Sequence, residues 1–152
     1  MPSKNISIVW FRQDLRIDDN PALFEAAKNA NILPVYILDD KNSKDWKLGG
    51  ASRVWLYHSL SSLNESLNNN LVFLSGDPLK LIPELVKLIN ANSVYWNRCY
   101  EPWRIQRDKK LKENLNNLDI KIKSYNGSLL WEPWTVTKLD GSPYKVFSPF
   151  YK

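Results

Sequence analysis

The chain has 152 residues, of which 43% are hydrophobic and 24% charged, a balance that indicates one globular domain rather than a disordered or fibrous chain. The net charge of +5 is compatible with nucleic-acid contacts, and equally with a protein that binds nothing acidic. One cysteine and one histidine exclude an internal disulfide and a Cys/His metal cluster, and no apolar run has the length of a signal peptide or a membrane span. We therefore expect a cytoplasmic protein without a membrane segment or a bound metal.

Predicted strands alternate with predicted helices along most of the chain. Short apolar, β-rich runs indicate the strands, and helical spacing of leucines or a capping residue followed by proline indicates the helices. In chain order the predicted elements are strand Ile6–Phe11, helix Ala22–Ala30 after the cap Asn20, strand Ile32–Leu38, a long helix that opens at Ser52 and carries Leu56, Leu60, Leu63 and Leu67 on one face, strand Leu71–Ser75, a helix after Asp77-Pro78 that includes Leu81 to Ile89, strand Ser93–Asn97, helix Trp103–Leu118 and strand Ile120–Tyr125.

This order predicts an α/β fold, namely a Rossmann-like, doubly wound, five-stranded parallel sheet with helices on both faces. We assign residues 1–126 to this domain. Residues 127–152 differ, because prolines and glycines are interspersed with aromatic rings and no helical period is present. A segment this apolar is not typical of a free tail, so we expect it to be extended along the domain surface or against a neighbouring domain.

Ligands of open α/β sheets bind beyond the carboxyl ends of the strands. The loop after the first strand, Arg12–Asp19, is dense in charge. It forms either a ligand or interdomain surface, or a network of ion pairs and hydrogen bonds that holds the loop, and we favour the network because charges at strand ends usually pair. The fingerprints GxGxxG, GxxxxGK[ST] and GxSxG are absent from the sequence. The residues alone therefore predict an α/β domain with a candidate ligand cleft.

The stretch WFRQDLRIDDNPAL, residues 10–23, resembles the opening signature of DNA photolyases and cryptochromes. The similarity continues in register over essentially the whole chain. The further blocks that resemble the family are Val35–Asp39, Gly50–Arg53, Gly76–Pro78, Trp96–Arg98, Tyr100–Pro102, Arg107-Asp108, Leu129-Leu130 and Tyr144–Phe150.

The resemblance implies the N-terminal, light-harvesting domain of a deoxyribodipyrimidine photolyase-like DNA repair protein, a light-driven carbon–carbon lyase. In that family a linker then leads to a helical domain that holds FAD and receives damaged DNA. We expect this chain to lack the helical domain, to depend on it as a partner in cis or in trans, to carry no catalytic residue and not to repair DNA alone. The alternatives are a cryptochrome photoreceptor fragment and a stand-alone small-ligand-binding or regulatory module of the same fold.

The resemblance also indicates where an antenna chromophore would bind. In a deazaflavin-binding branch an Arg, an Asp and a Glu line the site; Arg53 and Glu101 match, and Cys99 replaces the Asp. The strand ends Phe11 and Asp39 complete the predicted site, and the alternative for Arg53 and Glu101 is that they pair with each other or cap helices. The His, Asn and Glu of a folate-binding branch are replaced. We therefore favour deazaflavin or FMN over methenyltetrahydrofolate. The three replaced folate positions are Lys47, Trp103 and Arg104.

Overall fold

A computed structural model describes residues 5–28 and 31–151 of the chain. Within these residues strands and helices alternate, as the sequence predicts, and a short 3₁₀ turn and a short terminal helix are added. The elements are β1 (Ile6–Phe11), α1 (Pro21–Ala27), β2 (Asn31–Leu38), the 3₁₀ turn Lys44–Trp46, α2 (Gly50–Ser66), β3 (Val72–Ser75), α3 (Pro78–Ile89), β4 (Ser93–Asn97), α4 (Pro102–Asn116), β5 (Lys121–Tyr125) and α5 (Phe147–Tyr151).

The strands form one parallel sheet in the order β3-β2-β1-β4-β5, which confirms the predicted doubly wound fold. The chain builds outward from β1 to β3, then crosses back to place β4 on the other side of β1. The connection after β1 therefore runs toward one edge of the sheet, and the connection after β4 runs toward the other. Ligands of such sheets bind between the carboxyl ends of these two neighbouring strands. β5 lies at the edge, in agreement with its alternating sequence KIKSY.

Successive residues of β1 enter opposite cores, because side chains of a strand alternate between the two faces. Trp10 belongs to the core on the α3 and α4 face, together with Ile82 and Leu111. Phe11 belongs to the core on the α1 and α2 face, where Leu63 of α2 packs. The helices therefore cover both faces of the sheet, as predicted. Leu56, Leu60 and Leu67 also pack against the second core, which confirms the predicted apolar face of α2.

The predicted helix caps are present. The Asn20 side chain accepts a hydrogen bond from the backbone N–H of Leu23 at 3.1 Å, and Asp77 accepts one from Leu79 at 3.0 Å. α1 ends at Ala27, whereas the sequence predicted a helix to Ala30; the last two predicted positions lie outside the described residues. No helix in the ranges 5–28 and 31–151 is long and apolar enough to cross a membrane.

The segment after β5 is irregular over most of its length, but it ends in α5, a helix that the sequence did not predict. Its aromatic residues recur at helical spacing only at the very end, where the ring of Phe147 lies 6.3 Å from that of Phe150 and 5.5 Å from that of Tyr151. The segment is attached to the domain by two arginines. Arg98 donates to Glu132, and Arg16 donates to the carbonyl of Gly127 at 2.7 Å.

Replacement of Gly127 is expected to destabilise the fold. A Cβ atom at this position would lie 2.6 Å from Cγ of Asn97, whose buried amide donates hydrogen bonds to Asp14 and Asn20 of the loop after β1 and accepts one from the backbone N–H of Ala22. We expect Gly127→Ala to lower the free energy of unfolding by about 1–3 kcal/mol in a denaturant titration, the usual cost of overpacking. Gly50→Ala is the control, since its Cβ would meet nothing within 4 Å. Equal stability of Gly127→Ala and Gly50→Ala would contradict this packing.

Candidate functional site

Two adjoining cavities open at the carboxyl ends of the strands. The first cavity, of about 780 Å³, is lined by the ends of β1 and β2, the first half of α2 and the start of α4. The second cavity, of about 910 Å³, lies beside the start of α4 and the 3₁₀ turn. Both volumes are within the range of small-molecule sites. The cavities therefore occupy the position that the sheet topology predicts for a ligand.

Aromatic rings form much of the first cavity. Trp46 of the 3₁₀ turn and Trp55 of α2 line it although they are 82% and 78% exposed, and Trp103 lines it from α4. Trp10 contributes a buried ring from β1. Tyr36 lines the cavity from β2, and burial raises the pKa of its phenol, so the hydroxyl stays protonated at neutral pH. This lining suits a flat, conjugated ligand.

A chain of buried charges lies beneath the two cavities. Arg12 at the end of β1 binds Asp108 of α4 at 2.5 Å, and Asp108 also accepts from Arg107 at 2.8 Å. Arg107 binds Asp39, at the end of β2, at 2.9 Å. The side chains of Arg107 and Asp39 are both 5% exposed. This chain of ion pairs, which we call the buried charge chain, connects α4 to the ends of β1 and β2.

Arg107 also supports the aromatic lining. Its guanidinium carbon lies 4.8 Å from the ring centroid of Trp10 and 5.1 Å from that of Trp103. Arg104, one turn earlier, lies 4.9 Å from the Trp103 centroid. Cations at these distances are attracted by the ring quadrupole. The buried charge chain therefore helps to fix the Trp103 ring, which belongs to both cavities.

The charged loop after β1 forms the network that the sequence analysis favoured. Asp14 accepts hydrogen bonds from the backbone N–H of Arg12 at 2.9 Å and from the Asn97 amide at 2.6 Å. The Asn97 amide also donates to the Asn20 side chain at 2.8 Å. The loop is not only structural, however, because Gln13 and Arg16 line the first cavity.

Arg53 and Glu101, the two predicted chromophore contacts, lie at different places and do not pair with each other in the structure. Arg53 binds Asp40 at 2.7 Å and donates to the Leu48 carbonyl, and it is not among the residues that line either cavity. Glu101 lines the second cavity and accepts a hydrogen bond from Gln13 at 2.9 Å. Arg53 is thus hydrogen-bonded to Asp40 and Glu101 to Gln13, and both of these partners line the first cavity.

Cys99, Phe11 and Asp39 complete the predicted set. Cys99 is 7% exposed, and its Sγ lies 3.4 Å from a guanidinium nitrogen of Arg104. The Phe11 side chain is fully buried in the core, so it can support the site only from beneath. Asp39 lines the first cavity, but its carboxylate is engaged by Arg107 and by the backbone and side chain of Asn42.

The tryptophan walls of the first cavity were not predicted from the sequence. Trp46 follows a polar loop, and Trp55 lies beside the inward leucine face of α2 rather than on it. The available signal was Trp55, an aromatic residue next to the apolar face of a predicted helix. The spacing of residues along the chain does not show which loop packs opposite that ring. Lys47, one of the replaced folate positions, is exposed and lines neither cavity. Among residues 5–28 and 31–151 no cluster of three or more metal-binding side chains is formed.

The sheet order defines an α/β domain of the doubly wound class, with a cleft at the switch point where such folds bind ligands. The family model described as DNA photolyase matches residues 7–152, and the chain belongs to that family. It is 40% identical to a deoxyribodipyrimidine photo-lyase of Agrobacterium fabrum over 149 residues, which are 95% of this chain and 30% of that protein. It is 37% identical to Cryptochrome-2 of Arabidopsis thaliana over 150 residues, which are 96% of this chain and 24% of that protein.

Solved structures agree with this assignment. The crystal structure of a bacterial class III photolyase from Agrobacterium tumefaciens superposes with a TM-score of 0.89 at 38% identity, over 99% of this chain and 32% of that one. A cryptochrome of Synechocystis sp. PCC6803 superposes with a TM-score of 0.78 at 30% identity, over 90% of this chain and 30% of that one. The chain thus spans about a third or less of the length of these relatives.

The buried charge chain is expected to be sensitive to the loss of one charge. Asp108→Asn leaves Arg12 and Arg107 buried with one carboxylate fewer, and we expect the free energy of unfolding to fall by about 3–5 kcal/mol. Asp19→Asn is the control, because Asp19 is 95% exposed and lies 3.9 Å from Arg16. We expect no measurable change for this variant. Similar losses for both variants in urea titrations would contradict the assigned role of Asp108.

Proposed function

We propose that this chain is the antenna domain of a photolyase-like DNA repair protein and that an antenna chromophore binds in the first cavity. The observation that carries the proposal is the aromatic lining of that cavity at the switch point of the sheet, by Trp46, Trp55 and Trp103. A chromophore bound there would absorb light and pass the excitation to the FAD of the helical domain. The rings of the cavity would hold it by stacking, and the α/β body would exclude water from one side.

Polar groups of the cavity fit the edge of a conjugated heterocycle. The protonated Tyr36 hydroxyl and the Arg104 guanidinium can donate to ring carbonyls, and the side chain of Gln13 can donate or accept. Arg53 would act through Asp40, and Glu101 through Gln13, because both of these partners line the first cavity. In this proposal the two predicted residues orient the lining rather than provide all of the ligand contacts.

Deazaflavin or FMN is the proposed chromophore class, in preference to methenyltetrahydrofolate. The preference rests on the resemblance of Arg53 and Glu101 to the deazaflavin-binding branch and on the replacement of the three folate-contacting residues. An isoalloxazine-like ring has carbonyls and ring nitrogens along one edge, and the donors of the first cavity complement them. Cys99 in place of the Asp of that branch leaves this ligand with one polar contact fewer.

The proposed partner is the helical FAD domain, in cis or in trans, and damaged DNA would be contacted only through it. Residues 127–152 are proposed to be the segment that leads toward that domain. Its exposed rings support this, since large exposed apolar patches are typical of interfaces. The rings and aliphatic chains that are more than half exposed in this segment are Leu130, Trp131, Trp134, Leu139, Val146, Phe147 and Tyr151.

A cryptochrome photoreceptor is the second candidate for the parent protein. The identity to Cryptochrome-2 of Arabidopsis thaliana, 37%, is close to the 40% identity to the photo-lyase of Agrobacterium fabrum. Both candidates require the same chromophore cavity, and they differ in what the helical domain does with the excitation. Repair of damaged DNA by the chain joined to its helical domain would distinguish a photolyase from a photoreceptor.

Titration of the purified chain with FMN, a deazaflavin and methenyltetrahydrofolate tests the proposal through ligand absorbance and fluorescence. We expect Trp46→Ala to weaken the binding of the preferred ligand about tenfold, because one stacked ring is worth roughly 1–3 kcal/mol. Trp46 is 82% exposed, so its loss should not unfold the chain.

Trp131→Ala is the matched control for that titration. Trp131 is 65% exposed and lies on the C-terminal segment, outside both cavities. Its removal is expected to leave the affinity unchanged. Arg53→Ala and Glu101→Ala are each expected to weaken binding by more than about 1 kcal/mol through the loss of an oriented hydrogen bond. The absence of binding by all three ligands, also with the helical domain added, would remove the proposed function.

A further inference from the structure

Lys112 lies outside both cavities, where α4 packs on the edge of the sheet that β5 forms. Its side chain is partly buried, and its Nζ donates a hydrogen bond to the hydroxyl of Ser124 in β5 at 2.9 Å. Its Nζ also lies 5.7 Å from the ring centroid of Trp96, near the outer limit of a cation–π attraction. Because that ring is fully buried, it excludes water from one side of the amine. The ammonium form of Lys112 is therefore less well hydrated than that of a lysine on the free surface.

A second cation shares the hydroxyl oxygen that Lys112 contacts. Arg98, directly after β4, places its Nη1 3.3 Å from the same oxygen of Ser124. Arg98 also binds Glu132, whereas no carboxylate in the ranges 5–28 and 31–151 forms an ion pair with Lys112. Two positive groups at one oxygen repel each other, and an arginine keeps its proton at any physiological pH. The repulsion is therefore relieved only when Lys112 loses its proton.

These surroundings lower the pKa of the Lys112 amine. Burial is the largest cause, and the positive charges of Arg98 and Arg12 act in the same direction. Asp108, one turn earlier in α4, acts in the opposite direction, but its carboxylate is bound by Arg12 and Arg107. Near neutral pH a larger share of Lys112 than of an ordinary lysine is therefore the neutral amine, which is the nucleophilic form.

We propose that Lys112, held in position by Ser124, is an acylation site that takes its acyl group from small anionic donors of the acyl phosphate class. The neutral amine attacks the carbonyl carbon of the donor and forms an amide bond, and the bond between that carbon and the phosphate oxygen breaks. The phosphate leaves with the electron pair and takes one proton of the amine. The guanidinium of Arg98, 28% exposed, attracts the phosphate. The amide product carries no charge, so the repulsion at the Ser124 oxygen ends.

Incubation of the purified chain with acetyl phosphate tests this proposal, with the acetylated positions quantified by peptide mass spectrometry. Lys109 and Lys110 are the internal references, since both are exposed on the same helix. We expect Lys112 to be acetylated at least about threefold faster than either reference near neutral pH, because burial and neighbouring cations activate a lysine. The excess is expected to shrink toward about pH 10, where ordinary lysines also lose their protons. An equal or slower rate for Lys112 near neutral pH would overturn the inference.

Two variants of Ser124 test whether its hydroxyl holds the amine. Ser124→Ala removes the acceptor and lets Lys112 turn toward solvent, so we expect its rate of acetylation to fall to within about twofold of the Lys109 rate. Ser124→Thr keeps a hydroxyl and is expected to keep the excess. Melting curves that coincide with the wild type show that neither variant is unfolded. An undiminished excess in Ser124→Ala would contradict the proposed site. None of these outcomes depends on a chromophore, so they are distinct from the test of the proposed function.

Discussion

The buried charge chain Arg12–Asp108–Arg107–Asp39 is the constraint on which the site depends. It joins the ends of β1 and β2 to the first half of α4, and the side chains involved are at most 10% exposed. Removing these charges from water costs free energy that their mutual attraction only partly returns, so the chain is not best understood as a source of stability. Its contribution is geometric, because each of these charges has an opposite partner on another element or beside it on α4, and the pairs fix the three elements relative to one another.

The cleft follows from that arrangement. Arg107 lies against the rings of Trp10 and Trp103, so the same side chain that closes the buried charge chain also sets the wall shared by both cavities. The opposite wall is held more loosely. The first half of α2 is largely exposed, although Leu56 and Leu60 pack against the core, and Leu63 is buried farther along the helix. One wall of the site is therefore attached to the sheet by buried ion pairs, and the other by the leucine face of α2, with the partly exposed Arg53–Asp40 pair beside it.

The sequence predicted those features that depend on neighbours along the chain. Alternation and helical spacing located the strands and the inward leucines, and the caps at Asn20 and Asp77 marked the starts of α1 and α3. The sequence could not predict that Arg12 would bind Asp108, since 96 positions separate them and several acids were equally available. For the same reason it could not predict that Arg53 would bind Asp40 and that Glu101 would accept a hydrogen bond from Gln13.

The double variant Arg12→Met, Asp108→Leu tests most directly whether the buried charge chain positions the site. The Arg12 and Asp108 side chains are 3% and 10% exposed; Arg12 borders the first cavity, Asp108 borders neither, and apolar replacement of both removes the two opposite charges together. Arg107 would lose its hydrogen bonds to Asp108 and hold Trp103 less firmly. We predict a folded variant whose affinity for the preferred chromophore is about tenfold weaker than that of the wild type. A folded variant with unchanged affinity would contradict the account.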